Sequence, residues 1–146
     1  MLKLEQIIAG LALGSALILQ YPAYAQDAEK RVLRLPQDIV LPDRGSVELY
    51  GDSTKSGLYV NRGKIPSGAK NVPHRHPEER TVVILSGTLY YGLGEVFDES
   101  KLIAFPAGTF FSEPPGVAHF AWAKDGDVIP QVTGIGPTGT TPVRPQ

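Results

Sequence analysis

The sequence predicts an all-β domain, either a sandwich or a barrel, on three observations. Apolar and β-branched runs recur at short, even intervals, and each run is bounded by Gly, Pro, Asp or Asn. Turn signals such as Ser86-Gly87 lie between neighbouring runs. No window of a dozen residues keeps a 3.6-residue apolar period without an interior Gly or Pro, so no helix is predicted. A chain of 146 residues is expected to form one domain.

The elements follow in order along the chain. Residues 26–44 are charged and interrupted by proline, which indicates an extended arm with at most a short edge strand around Asp38 to Leu41. The domain itself is predicted to span 45–134. Its predicted strands are 46–50, 57–65, 81–85, 87–93, 101–105, 108–112, 118–122 and 128–133. The tail, 135–146, is rich in Pro and Gly and is expected to lie over the domain or to reach a neighbouring copy.

The first 25 residues differ from the rest of the chain. An uncharged run, IIAGLALGSALIL, is followed by the small-x-small sequence AYA, which ends at Ala25. This layout is typical of a secretory signal peptide, with cleavage between Ala25 and Gln26. A retained anchor is the main alternative, but Pro22 and the polar residues before it interrupt the apolar run. We therefore expect an exported protein, periplasmic or secreted, without stable membrane association after cleavage.

Charge and cysteine content exclude several functions. The chain has 14 Lys and Arg against 15 Asp and Glu, a net charge of -1, and no long basic run, so neither nucleic acid nor an anionic membrane surface is indicated as a partner. The absence of cysteine excludes disulfides and thiol catalysis. The expected partner is a small molecule or a second copy of the chain.

The three histidines are the residues most suited to chemistry. His74 and His76 stand at i and i+2, which places both imidazoles on one face of an extended strand. His119 begins another predicted strand, after the turn Pro114-Pro115-Gly116. If the two strands lie side by side, three imidazole nitrogens converge, as a divalent transition metal requires.

Two spaced motifs resemble those of the cupin superfamily. The stretch GAKNVPHRH, residues 68–76, together with Gly87, resembles the first cupin motif, and GTFFSEPPGVAH, residues 108–119, resembles the second. The resemblance implies a single-domain jelly-roll β-barrel of the RmlC-like type. It also implies a metal held in the open mouth of the barrel by His74, His76 and His119.

The sequence departs from the family pattern at the positions of two further ligands. Arg80 stands where the acidic ligand is expected, six residues separating it from Gly87, and Ala123 stands where the second motif often has Asn. A guanidinium cannot ligate. At about 5 Å from a divalent ion, with an effective dielectric near 20, its repulsion is on the order of 6 to 7 kcal/mol. Arg80 must therefore clamp an anionic ligand, or pair with a carboxylate and turn away from the pocket; the candidate carboxylates are Glu78, Glu79 and Glu113.

Other candidate site residues are open to two interpretations. Glu79 could replace the missing ligand after a local bulge, and Gln131 could reach the metal from the last predicted strand. Arg80 and Tyr59 are the catalytic candidates. Five aromatic side chains either line a pocket or fill the core, namely Tyr59, Tyr90, Phe110, Phe120 and Trp122. From these, the substrate-binding candidates besides Arg80 are Tyr90, Phe110 and Trp122.

The resemblance makes metal-dependent dioxygenase chemistry the first expected function, with isomerase or lyase chemistry next. The cofactor is expected to be a divalent transition metal, one of Fe(II), Zn, Mn, Ni or Cu, because imidazole serves all of them. The substrate is expected to be a small anionic or oxygen-rich organic molecule. The alternative is a non-catalytic cupin that binds or senses a small molecule, with or without a metal. A third interpretation is a structural barrel that has lost its metal. A homodimer is expected by analogy with the family.

Overall fold

The computed structural model describes residues 31–144, and the predicted signal peptide lies outside them. The described part is built of β-strands with two short 3-10 helices, Pro36–Asp38 and Glu99–Lys101, which confirms the all-β prediction. The strands are β1 (Gly45–Tyr50), β2 (Gly57–Lys64), β3 (Lys70–Arg75), β4 (Arg80–Ser86), β5 (Thr88–Leu93), β6 (Ile103–Pro106), β7 (Phe110–Glu113), β8 (His119–Trp122), β9 (Ile129–Gly136) and β10 (Thr141–Pro142).

The strands form two five-stranded antiparallel sheets. One has the order β1-β2-β9-β4-β7 and the other β10-β3-β8-β5-β6. Successive strands β3, β4 and β5 alternate between the sheets, as expected for a jelly roll. The predicted jelly-roll class is confirmed, and within it the two sheets are not closed into a barrel. No helix within residues 31–144 has the length and apolar character that a membrane span needs.

The core lies between the sheets, beside the strands that carry the histidines. Alternation along β4 and β5 turns every second side chain inward, so Val82, Ile84, Leu89 and Tyr91 are all buried. They form one buried cluster with Ala121 of β8 and with Ala123 and Val128, which lie between β8 and β9. This apolar cluster gives the site above it a rigid base.

The structure contains two strands, β3 and β10, that are not among the eight predicted from apolar runs, although the histidine spacing indicated an extended strand at β3. Strand β3 contains Pro73, which cannot donate to the ladder, and the pairing of β3 with β8 shifts register between Asn71 and His74. Strand β10 pairs with β3, placing Pro142 opposite His74, so the tail lies on the domain as an edge strand. The possible edge strand around Asp38 to Leu41 is absent; a 3-10 helix, Pro36–Asp38, stands at its start.

Gly87 is expected to be essential for the link between the sheets. It joins β4 to β5 with φ 78°, and an added Cβ would lie 2.2 Å from the backbone oxygen of Asp127. A left-handed backbone alone costs alanine about 1–2 kcal/mol. Gly87→Ala should lower the free energy of unfolding by more than this, because of the added clash. Gly108 is the matched control, because its φ is 90° but no heavy atom lies within 4 Å of an added Cβ. Urea denaturation checks this, and equal losses in the two variants would contradict it.

Candidate metal centre

The three histidines converge because β3 and β8 are neighbours in one sheet. His74 is paired directly with His119, and His76 follows the end of β3. One ring nitrogen from each histidine can be chosen so that all three lie within 4.8 Å of one another. His76 and His119 are buried, with 4% and 3% of their surface exposed. The three residues therefore form a cluster that could hold a metal ion.

Backbone carbonyls fix the orientation of all three rings. Each Nδ1 lies within hydrogen-bond distance of a carbonyl oxygen, at 2.7 Å for His74, 2.6 Å for His76 and 3.1 Å for His119. A carbonyl oxygen can only accept, so Nδ1 carries a proton, and in the neutral form of each ring Nε2 is the nitrogen with the lone pair. The accepting oxygens belong to Val72, Gly139 and Val117, respectively. This arrangement is the one found behind metal-bound histidines, where the second ring nitrogen donates to a fixed acceptor.

Burial keeps the histidines in the form that a metal needs. It is the main cause that lowers the pKa of His76 to about 4, and the nearby charge of Arg80 acts in the same direction. Burial also lowers the pKa of His119, although the carboxylate of Glu113 opposes this effect. Both rings are therefore neutral at pH 7, and no proton has to be removed before a metal binds.

Acid should destabilise the metal-free protein through His76. Its ordinary pKa of 6.5 applies to the unfolded chain, so between pH 6.5 and about 4 the unfolded state binds more protons than the folded state. The free energy of unfolding should fall as the pH drops through this window and be fully retained above it. Denaturation of metal-stripped protein at several pH values measures the slope, which His76→Gln should reduce. An unchanged slope in that variant would contradict the assignment.

Arg80 lies inside the site and bridges two of its members. Its Nε donates to Oε2 of Glu113 at 2.5 Å, and its Nη2 donates to Nε2 of His76 at 2.5 Å. Arg80 and Glu113 are direct neighbours across β4 and β7. Of the predicted partners of Arg80, Glu113 is therefore the one that the structure pairs with it. The structure contradicts the expectation that a paired Arg80 turns away, because its side chain remains in the pocket.

Glu113 also approaches His119. Its Oε1 lies 3.3 Å from Nε2 of His119, and only 6% of its side chain is exposed. Because Nδ1 holds the proton of His119, this contact joins two acceptors and is not a hydrogen bond. Among residues 31–144, Nε2 of His119 has no hydrogen-bond partner. The buried lone pair is thus available to a cation.

Two neighbouring cavities share Arg80. The inner one, of about 150 Å³, is bordered by His74, His119, Arg80 and Glu113. The outer one, of about 400 Å³, is polar, and its lining includes three cations, namely Arg44, Lys64 and Arg80. No carboxylate of the described residues lines the outer cavity. The arrangement places a cationic compartment beside the histidine cluster.

The remaining carboxylate and amide candidates lie apart from the histidines. Glu79 is exposed, so the alternative in which it replaces the missing ligand is not what the structure shows. Gln131 accepts from the guanidinium of Arg62, at 2.8 Å from Nη2, and does not line the inner cavity. Glu78 is buried and accepts from the hydroxyls of Tyr59 and Thr138.

The aromatic candidates divide between core, surface and cavity wall. Tyr59 is 1% exposed and borders the outer cavity, whereas Phe120 is core. Tyr90 donates to Asp125 at the surface and Phe110 is 66% exposed. The Nζ of Lys70 lies over the ring of Trp122, 4.1 Å from the ring centroid. Tyr90, Phe110 and Trp122 border neither of the cavities that Arg80 borders, so their predicted role in substrate binding is not what the structure indicates.

Tyr91 is a site residue that the sequence reasoning missed. Its ring is stacked on His119 with centroids 5.4 Å apart, and burial raises its pKa above the usual range, so it stays a neutral phenol. The period-two alternation along β5 could have identified Tyr91, because Leu89 and Tyr91 share the inward face and Tyr90 faces outward.

The two antiparallel sheets of the described residues have the jelly-roll fold of RmlC-like cupins. Comparison with known proteins agrees. An RmlC-like cupin from Shewanella frigidimarina superposes with a TM-score of 0.57 at 16% identity, covering 73% of this chain and 92% of that one. The DMSP lyase DddQ from Ruegeria pomeroyi superposes with a TM-score of 0.54 at 21% identity, covering 78% of this chain and 60% of that one.

One curated protein matches the sequence over part of the chain. Germin-like protein 5-1 of Oryza sativa subsp. japonica is 32% identical over 78 residues, which cover 51% of this chain and 34% of that protein. The chain thus spans about a third of the length of this curated relative. No family model matches the sequence.

Proposed function

We propose that this protein is an exported, metal-dependent cupin that acts on a small organic molecule with a carboxylate-type head. The observation that carries the proposal is the set of three Nε2 lone pairs, each held in place by a proton donated from Nδ1 to the backbone. Three imidazole ligands fit Zn, Fe, Mn, Ni or Cu and leave coordination positions open. An ion held there would supply Lewis acidity to an oxygen of the substrate.

The outer cavity supports an anionic substrate. Arg44, Lys64 and Arg80 border it without an opposing carboxylate among the described lining residues. Lys64 already pairs with Asp127 at 2.9 Å, so Arg44 and Arg80 are the groups better placed to bind an anion. A fork of guanidinium donors suits a carboxylate. We therefore propose an anionic substrate that binds with its negatively charged group directed towards Arg44 and Arg80.

Asn61 favours a substrate that has a hydroxyl or amine group close to its negatively charged group. Its Oδ1 is buried in the wall of the outer cavity and has no hydrogen-bond partner among residues 31–144. A buried acceptor without a donor costs free energy, which a substrate hydroxyl would recover. An oxygen-rich acid, such as a hydroxy acid or a keto acid with hydroxyl groups, meets both requirements.

The proposed reaction class follows from the family resemblance and from the open positions. Oxygen-dependent cleavage by a dioxygenase is the first candidate, and isomerisation or elimination assisted by the metal is the second. Export rests on the N-terminal sequence. Mass spectrometry of the protein recovered from its own compartment tests it, because cleavage as proposed would leave a chain that begins at Gln26.

A substrate panel tests the function. Metal-loaded and metal-stripped protein are compared with keto acids, hydroxy acids, catechols and flavonoids, by oxygen uptake, product analysis and thermal shift. We expect anionic members to raise the melting temperature and at least one to be turned over by the loaded protein alone. Turnover that persists in metal-stripped protein and in His74→Ala would overturn metal dependence. Stabilisation without any turnover would identify a binding module instead.

A further inference from the structure

We propose that Glu113 is a fourth ligand of the metal, and that Arg80 takes the place of the ion when the metal is absent. The inference rests on the metal site proposed above and adds a residue to it. Glu113 is the last residue of β7 and stands directly opposite Arg80 on β4. The carboxylate missing from the expected position on β4 would thus be supplied by the neighbouring strand.

The first argument is the distance between Glu113 and His119. Two donors bound to one divalent ion, with bonds of about 2.0–2.2 Å, lie roughly 3 to 3.5 Å apart. Oε1 of Glu113 and Nε2 of His119 are 3.3 Å apart. Both atoms present lone pairs, so the contact is repulsive until a cation lies between them. The pair therefore has the separation and the charge of two ligands on one ion.

The second argument is the position of Arg80. Its guanidinium contacts Oε2 of Glu113 and Nε2 of His76, each at 2.5 Å. One positive group thus neutralises the carboxylate and saturates a histidine lone pair, which are two tasks that a bound ion would perform. Arg80 and the ion cannot do both at once, because they compete for Nε2 of His76 and repel each other.

Arg80 has a place to move when an ion binds. Its side chain borders the outer cavity as well as the inner one. Turning outward would release His76 and Glu113 to the ion and bring the guanidinium to the compartment that also contains Arg44. The exchange would leave the site with three imidazoles and one carboxylate.

Zinc affinity in four proteins tests the inference. Competition with a chromophoric chelator gives the Kd for wild type, Arg80→Met, Glu113→Gln and the double variant. Arg80→Met should tighten binding. In the Arg80→Met background, Glu113→Gln should weaken binding by about 10-fold or more, since a direct ligand is lost. Equal zinc affinity of Arg80→Met and the double variant would overturn the assignment.

Glu78→Gln is the matched control. Glu78 is also a buried glutamate, but its contacts are the hydroxyls of Tyr59 and Thr138, not the histidines. The zinc affinity of the Glu78→Gln variant should therefore stay within about 2-fold of wild type. Loss of a residue that supports a metal ligand typically weakens metal binding by about 10-fold or more. A loss equal to that of Glu113→Gln would show that any buried carboxylate has the effect, and would overturn a specific ligand role.

Crystals of zinc-loaded wild type give a second measurement that needs no variant. An oxygen of Glu113 should lie about 2.0–2.2 Å from the ion, with Arg80 withdrawn from His76. An ion on the histidines alone, with Arg80 still on Glu113, would overturn the fourth ligand and leave the proposed function standing. A wild-type protein that binds no zinc would overturn both.

Discussion

His119→Ala should abolish stoichiometric binding of a divalent transition ion. His119 is buried on β8 and borders the inner cavity, and its Nε2 has no hydrogen-bond partner among the described residues. Loss of a residue that only hydrogen-bonds to a metal ligand typically weakens metal binding by about 10–100-fold. Loss of the ligand His119 itself should weaken zinc binding by more than this. Competition titration with a chromophoric chelator measures the change.

Gln131→Ala is the control for this prediction. Gln131 was a predicted ligand candidate, but its side chain accepts a hydrogen bond from Arg62 and does not line the inner cavity. Its replacement should leave the zinc affinity unchanged. If His119→Ala bound zinc as tightly as Gln131→Ala and wild type, the ion would have to be held elsewhere.

Arg80→Met should cause the largest loss of stability expected from a change at the site. The ion pair with Glu113 is largely buried, with side-chain exposures of 16% and 6%. Removing one partner leaves a buried charge without compensation, which typically costs about 3–5 kcal/mol. Urea denaturation of metal-stripped protein should show this loss as a lower unfolding midpoint. Removing both charges in Arg80→Met/Glu113→Gln should recover most of it, because a buried pair and a neutral replacement differ little.

Lys55→Met provides the contrast between buried and exposed pairs. Lys55 pairs with Asp52 at the surface, where 76% of the lysine side chain is exposed. Solvent screens such a pair, so its removal should leave the unfolding midpoint unchanged within error. A double variant at Arg80 and Glu113 as unstable as Arg80→Met alone would contradict the view that the lost stability comes from an uncompensated charge.

Much of the fold follows from local signals in the sequence. Strands β2, β5 and β9 were predicted to within a few residues, because period-two alternation and Gly or Pro turns are short-range features. Strand β3 was indicated only by the histidine spacing, because its centre holds Pro73 and an exposed Val72 and so lacks the apolar alternation of a half-buried strand. Closure into a barrel depends on how the edges of two sheets meet, and no local pattern encodes that.

The part of the site that depends on spacing within a short stretch of sequence could be predicted. The i, i+2 spacing of His74 and His76 predicts a shared face, and the turn before His119 suggests a second strand. The three rings do converge as predicted. The position of Arg80 was not predictable, since its contact with Glu113 depends on the pairing of β4 with β7 across 33 residues. Tyr91 was not considered, although the alternation along β5 places it with Leu89 on the buried face and Tyr90 on the other.

The central claim is that His74, His76 and His119 hold one metal ion. Anomalous scattering from crystals of the zinc-loaded protein, measured at the zinc absorption edge, tests it most directly. We predict a single strong peak per chain about 2.0–2.2 Å from Nε2 of all three histidines. A fully loaded crystal with no peak at the cluster, or with a peak bound by other residues, would contradict the claim.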